Sequence, residues 1–301
     1  PDGWMVAQLG YHDAYASGVI HAIAGGFALG VLVVLGPRIG KFAADGTPRD
    51  IVPHNPWLVT IGLFLIYTGF WGFYVACNIP IIDVGAMAGM EGSFYSTTNI
   101  YLTPTTTSAI TFNFLMSLSG GLMMGYLVSK GDAFWTYSSG LGGVIAASAG
   151  NDLYHPIQAM FVAAVAVPIF YKMHGWVERT FKIDDAVGAV AVHGYAGVIG
   201  LLIAGFMLWG YPASMYLESA PGVPVQITPW GQAIGAFIMF FVLGFAPAWI
   251  VSKILNGMGM LRIPERVEIA GLDLSDYHGR YLDESQVNAA EEEEARRLGL
   301  I

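Results

Sequence analysis

The chain has 301 residues, 55% of them hydrophobic and only 12% charged, with a net charge of −9 and a mean hydropathy of +0.56. A soluble domain carries about a quarter charged residues, so this composition excludes a disordered chain, a nucleic-acid binder and an ordinary soluble enzyme. The single cysteine, Cys77, excludes an intrachain disulfide framework and any multi-cysteine metal centre, and neither a metal nor another cofactor is expected.

A bilayer core of roughly 30 Å needs about 20 mostly apolar residues per helix. Seven stretches meet that need in chain order: Ala14–Leu35, Pro56–Cys77, Thr105–Val128, Phe134–Gly150, Tyr154–Trp176, Asp185–Trp209 and Trp230–Leu255. The fourth is short and glycine-rich. These stretches predict an all-α, polytopic transmembrane helix bundle over residues 1–255, in contact with membrane lipid. Residues 256–301 are charged and predict a cytoplasmic tail with a short helix around Glu291–Leu298. With these spans, all 13 Lys and Arg residues fall on one side. Arg38, Lys41 and Arg49 lie between spans one and two, Lys130 between three and four, and Lys172, Arg179 and Lys182 between five and six. The other six follow span seven, whereas the opposite loops hold Asp83, Glu91, Asp152 and Glu218 without a basic residue. The positive-inside rule therefore places Pro1 outside and the C-terminus in the cytoplasm. Pro1–Asp13 has no basic n-region, so no secretory signal peptide is expected ahead of span one.

Two histidines stand in matching contexts. Span one reads DAYASGVIHAIAG from Asp13, and span six reads DAVGAVAVHGYAG from Asp185, so His21 and His193 each follow an aspartate by eight residues and precede an Ala-Gly pair. The two spans run in opposite directions, which marks an inverted-topology repeat. Eight residues at 1.5 Å rise carry each histidine about 12 Å into its helix. Paired imidazoles at the bilayer centre could share a proton and line a narrow path. A mid-membrane histidine can also simply hydrogen-bond a neighbouring helix, but intramembrane ionisable groups are usually functional. Asp13 and Asp185 open their helices, where a carboxylate caps free N–H groups and suits the dipole; that structural role is favoured over attraction of a cation.

Other features are less specific. Phe70, Trp71, Phe73 and Tyr74 form an aromatic cluster, read either as an interfacial belt or as a pore gate. Asn113 reads as interhelical glue, and His12, His54, His155, His174 and His278 receive no role. A retinal protein would need a lysine inside its last helix, a bis-haem cytochrome paired axial histidines, and a voltage sensor an arginine ladder; none of these patterns occurs. A pigment-binding subunit using His21 and His193 as ligands stays open on composition.

The segment DDAVGAVAVHGYAGVIG from Asp184 resembles the signature of the ammonium transporter (Amt/Mep/Rh) family. Further matches are collinear: Asp13–Gly25 with the family's fifth helix, Pro53-His54-Asn55 and Gly69-FWGF with its sixth-helix region, Tyr137–Gly150 with its eighth, and Arg262–Tyr281 with its cytoplasmic C-terminus. The resemblance implies that the chain starts where the fifth of about eleven family helices begins, with the first four absent. It implies His21 and His193 as the twin pore histidines, Phe73 as one gate phenylalanine and Cys77 at the position of the external cation site. It further implies ammonium or ammonia as substrate, a homotrimer in a bacterial inner membrane, and a PII-type regulator docking on the cytoplasmic face. Tyr74 replaces a usual asparagine, and Gly188 stands where many members carry aspartate. A non-transporting accessory or structural subunit of a larger membrane complex is therefore the alternative function.

Overall fold

The computed structural model describes residues 3–53, 55–81, 96–101, 103–214, 217–272, 293 and 296. Nine helices are used below. They are α1 (Trp4–Leu9), α2 (Ser17–Leu35), α3 (Pro56–Ala76), α4 (Thr107–Ser129), α5 (Ala133–Ala147), α6 (Pro156–Phe181), α7 (Val190–Met207), α8 (Pro229–Gly257) and α9 (Glu265–Ala270). Two small antiparallel sheets, β1–β3 (Ile79–Ile81, Ser96–Thr98, Pro104–Thr105) and β4–β5 (Glu218–Ala220, Val223–Pro224), occupy loops at the acidic end. The chain is an integral membrane protein built as a helix bundle.

Local chemistry sets the helix starts. Asn55, ahead of Pro56, accepts from the amides of Trp57 and Leu58 at 3.1 and 3.2 Å. Thr106 accepts from Ala109, Asp132 from Trp135 and Thr228 from Gly231, at 3.1, 2.8 and 2.9 Å. Each such cap typically contributes about 1 kcal/mol. His155, Pro156 and Gln158 make a capping box at the start of α6. Among the described residues, six helices are long and apolar enough to cross a membrane: α2, α3, α4, α6, α7 and α8. The fourth expected span is α5, with only 15 residues. Ten of those are buried, so α5 sits in the centre of the bundle while its neighbours face outward. Two boundaries differ most from expectation. The sixth span begins at Val190 rather than Asp185, because residues 184–189 form its capping turn, and α6 runs on past Trp176 to Phe181.

Close helix crossings bring the two halves of the repeat together. A Cβ on Gly25 would lie 2.1 Å from both N and Cα of Gly194, so α2 and α7 touch backbone to backbone beside the paired histidines. A Cβ on Gly200 would meet the Ala146 carbonyl oxygen at the same 2.1 Å, which seats α7 on α5. Small residues permit this approach, and packing is what holds helices together in lipid.

Buried polar networks close both ends. At the acidic end His12 is fully buried; its Nε2 lies 3.1 Å from Asp152 Oδ1 and its Nδ1 lies 3.3 Å from the Ala213 carbonyl. Asn99 donates to the other Asp152 oxygen, and Gln232 pairs with the His12 backbone through both its amide atoms. At the basic end Arg38 forks onto Asp184 at 2.6 and 2.9 Å, and Lys41 meets Glu178 at 2.6 Å. Burial pushes the Asp184 carboxyl up, but its hydrogen bonds with Arg38 overcome that and hold it below the usual carboxylate range. After α8 the chain folds back. Arg262 donates to the Leu35 and Pro37 carbonyls, and Glu268 of α9 accepts from the Ile39 amide at 2.7 Å. The start of the tail is thus in contact with the loop that carries Arg38 and Lys41. His54, His278 and most of the Asn78–Tyr101 loop lie outside the described residues, as does the expected helix Glu291–Leu298 apart from positions 293 and 296.

Candidate functional site

The two repeat motifs fold alike. Asp13 Oδ2 accepts from the amides of Gly18 and Val19 at 2.8 and 2.9 Å, and also from the Tyr11 hydroxyl at 3.0 Å. Asp185 Oδ2 accepts from the Ala191 amide at 3.1 Å. Both aspartates therefore accept amide hydrogens at the start of their helices. Three residues after each, the backbone turns left-handed: Ala16 has φ +69° and Gly188 has φ +66°. Each helix then begins with one wide π turn, Ser17–Ala22 in α2 and Val190–Tyr195 in α7, and each π turn carries the histidine. Single π turns are rare and concentrate at functional sites. Nothing in the residue pattern announces them, and a third π stretch, Ile238–Phe245 in α8, packs against α2 and carries no histidine.

This geometry brings His21 and His193 into contact. Their Nδ1 atoms are 3.0 Å apart, and the rings are nearly parallel at 13° with centroids 5.2 Å apart. Two nitrogens at that distance share one proton: one Nδ1 donates and the other accepts. The Nε2 atom of His21 is buried and has no hydrogen-bond partner among the described residues. Such an orphan is expensive in an apolar setting and marks a place where a small polar molecule would be welcome.

Phe70 places its edge against His21, with centroids 5.1 Å apart and planes at 62°. Phe73, the expected gate residue, sits one step behind, 5.9 Å from Phe70. Phe70 is therefore the ring of this cluster in contact with the histidine. The buried face of α3, formed by Leu63, Tyr67, Phe70 and Tyr74, includes Phe70 and not Phe73. Tyr74 is fully buried, stacked on Tyr15 at 4.2 Å, and its hydroxyl meets Ser148 Oγ at 2.6 Å. Trp71 faces outward and donates to Thr111 at 3.1 Å, consistent with a belt position. Cys77 is a half-buried free thiol at the end of α3. Asn113 donates to the carbonyls of Asn151 and Tyr154, both at 2.8 Å, and so ties α4 to the connection between α5 and α6 rather than to a helix.

Beside Asp13, at the acidic end, a cavity of about 480 Å³ opens, lined by Trp4, Tyr11, Val19, Tyr101 and Met239 among others. Its walls are aromatic and aliphatic. Burial pushes the Asp13 carboxyl above its usual range, and the Val19 and Gly18 amides and the Tyr11 hydroxyl only partly offset this. Its second oxygen, Oδ1, is buried without a partner among the described residues.

A sequence profile of the Ammonium Transporter Family matches residues 1–281. Ammonium transporter Amt2 of Methanocaldococcus jannaschii is 31% identical over 278 residues, covering 91% of this chain and 57% of the relative. Ammonium transporter Amt2 of Archaeoglobus fulgidus is 28% identical, covering 88% of this chain and 54% of the relative. The chain thus spans little more than half the length of these curated relatives. Among solved structures, a Sensor Amt Protein superposes with a TM-score of 0.71 at 26% identity, covering 91% of this chain and 62% of that one. Saccharomyces cerevisiae Mep2 shares the fold at a TM-score of 0.63 and 17% identity, covering 87% of this chain and 55% of that one. The profile match, the collinear relatives and the repeated histidine motif lead to one conclusion: the chain belongs to the ammonium transporter family.

Proposed function

We propose that this chain carries the twin-histidine half of an ammonia path and serves ammonium transport across a membrane. The observation that carries this reading is the 3.0 Å Nδ1–Nδ1 contact together with the unpartnered, buried Nε2 of His21. When the two Nδ1 atoms share one proton, one ring has a bare Nε2 and the other an Nε2–H. Ammonia can donate to the first and accept from the second, whereas ammonium can only donate. Burying an unpaired cation costs far more than burying a neutral amine. The path therefore favours ammonia plus a separately relayed proton. Phe70, in edge contact with His21, and Phe73 behind it form the gate, the cavity lined by Tyr11, Val19 and Tyr101 is the entry, and Cys77 takes the external cation position.

In this reading the acidic end is external, the basic end cytoplasmic and the membrane a bacterial inner membrane. Residues 1–255 form the transport unit and residues 256–301 its cytoplasmic tail. A homotrimer is the expected assembly, and the basic face with α9 folded onto it is the expected platform for a PII-type regulator. The relatives named ammonium transporters support the substrate assignment. The test is ammonium-evoked current and methylammonium uptake in liposomes holding the complete transporter. His21→Ala and His193→Ala should each lower the current by at least about tenfold, the scale of a lost proton-transfer group. Unchanged current in both would refute the proposal. A second reading, a non-transporting sensor or accessory subunit, is favoured by the Tyr15–Tyr74 stack and by likeness to a protein titled a sensor. Binding of ammonium without any current would select it.

A further inference from the structure

We infer that His174 and Asp185 form the proton-release group at the basic mouth of the histidine path, an assignment that rests on the transport function proposed above. His174 lies in the last two turns of α6, and its Nδ1 is 3.5 Å from Asp185 Oδ2. The same Asp185 oxygen accepts the Ala191 amide, inside the π turn that carries His193. One carboxylate thus connects an ionisable ring at the mouth to the helix start beneath the paired histidines. Trp135 of α5 packs on the His174 ring with centroids 4.7 Å apart and planes at 62°. The same indole covers the left-handed turn at Gly188, where an added Cβ would lie 3.2 Å from it. The His174 side chain keeps 15% of its surface exposed, and its Nε2 has no partner among the described residues. It is enclosed on one edge and open on the other, as a group that receives on one side and releases on the other must be.

The other charged groups at this mouth cannot do the same task. Asp184 is held by Arg38, Glu178 by Lys41, and Lys182 donates to the Gly46 carbonyl. Lys172 and Arg179, on the same helix as His174, are exposed to solvent. Histidine is the side chain that gains and loses a proton between pH 5 and 8. The step balances without electron transfer. A proton leaves the His21–His193 pair, passes the π turn of α7 that separates His193 from Asp185, and binds His174. The imidazolium, stabilised by the Asp185 carboxylate, then releases that proton from its open edge to the cytoplasm, while ammonia leaves uncharged.

The experiment uses the complete transporter in liposomes, with ammonium-evoked current recorded while the pH on the cytoplasmic side is stepped from 5.5 to 8. His174→Gln keeps a hydrogen-bonding group of similar reach but cannot titrate. It should cut the current by about tenfold or more and flatten its dependence on cytoplasmic pH, while leaving equilibrium binding of methylammonium unchanged. Wild-type current and an unchanged pH profile in His174→Gln would overturn the assignment. If the unmodified transporter carries no current, the transport reading fails separately, and a second measurement decides. Nitrogen-15 NMR of the His174 ring in the purified protein should show Nδ1 engaged by the carboxylate, a signature lost in Asp185→Asn. An Nδ1 resonance indifferent to Asp185→Asn overturns the assignment, and this readout does not depend on His174→Gln folding.

Discussion

His12 has an oxygen acceptor on each ring nitrogen, so both must carry hydrogen and the ring must be charged. Burial opposes that charge, but the Asp152 carboxylate, its hydrogen bond and the Ala213 carbonyl overcome it, and the ring binds its proton more tightly than an ordinary histidine. The sign follows: the folded value lies above the unfolded one near 6.5. The stabilisation is complete below that unfolded value and fades as pH rises through the raised folded value. Thermal unfolding in detergent should therefore lose stability above neutral pH, and His12→Gln should remove most of that dependence. His12→Ala leaves Asp152 buried without its counter-charge, a loss of about 3–5 kcal/mol. A flat pH profile of unfolding in the unmodified chain would contradict this reading. His12 carries no local marker, because its partner is 140 residues away and only the fold joins them. His21 and His193 were legible for the opposite reason: each sits inside a local motif that occurs twice.

At the scale of elements, the paired histidines depend on how closely α2 and α7 cross. A Cβ at Gly25 would come within 2.1 Å of backbone atoms that cannot swing aside. Gly25→Ala should push the helices apart, break the Nδ1–Nδ1 hydrogen bond and lower the melting temperature. Gly62 in α3 has open space around its Cβ position, so Gly62→Ala should be neutral or stabilising by at most about 1 kcal/mol, from helix propensity. Equal destabilisation by the two substitutions would show that the close crossing is not what matters. The latch at the basic end gives a second test. Glu268→Ala removes the acceptor of the Ile39 amide and one partner of Arg262, so hydrogen exchange at residues 35–39 should accelerate. Unaltered exchange there would mean that the tail is not docked. Span positions were readable from length and hydropathy, since the bilayer thickness sets both. The depth of α5 was not readable, because a short glycine-rich stretch fits a fully packed central helix as well as a spanning one. The π stretches were equally hidden, since no residue pattern marks them.

At the scale of the whole molecule, the described helices enclose the histidine pair on some sides only. Ile20, next to His21 on α2, is 44% exposed, and Phe27, two turns further along, is 52% exposed. On α8, Phe237 and Phe241 are likewise exposed. In a bilayer these faces meet lipid or other helices, and a conducting path must be walled off from lipid along its full length. The length is consistent with this, because the chain covers 57% of Amt2 from Methanocaldococcus jannaschii. We therefore expect residues 1–301 alone, purified and reconstituted, to give no ammonium-evoked current even with both histidines intact. Joining the chain to the unmatched helices of that relative should supply the missing wall. Current should then appear and should fall when either histidine is replaced by alanine, because each substitution removes a proton acceptor from an otherwise apolar path. The readout is current per reconstituted protein, checked for orientation by labelling cysteines placed in the Asn78–Tyr101 loop, which should react only from outside. Strong current from residues 1–301 alone would show that the visible helices already enclose a pore. Failure of a well-folded fusion to conduct would shift the assignment to the accessory reading, in which the histidine pair holds ammonia without passing it on.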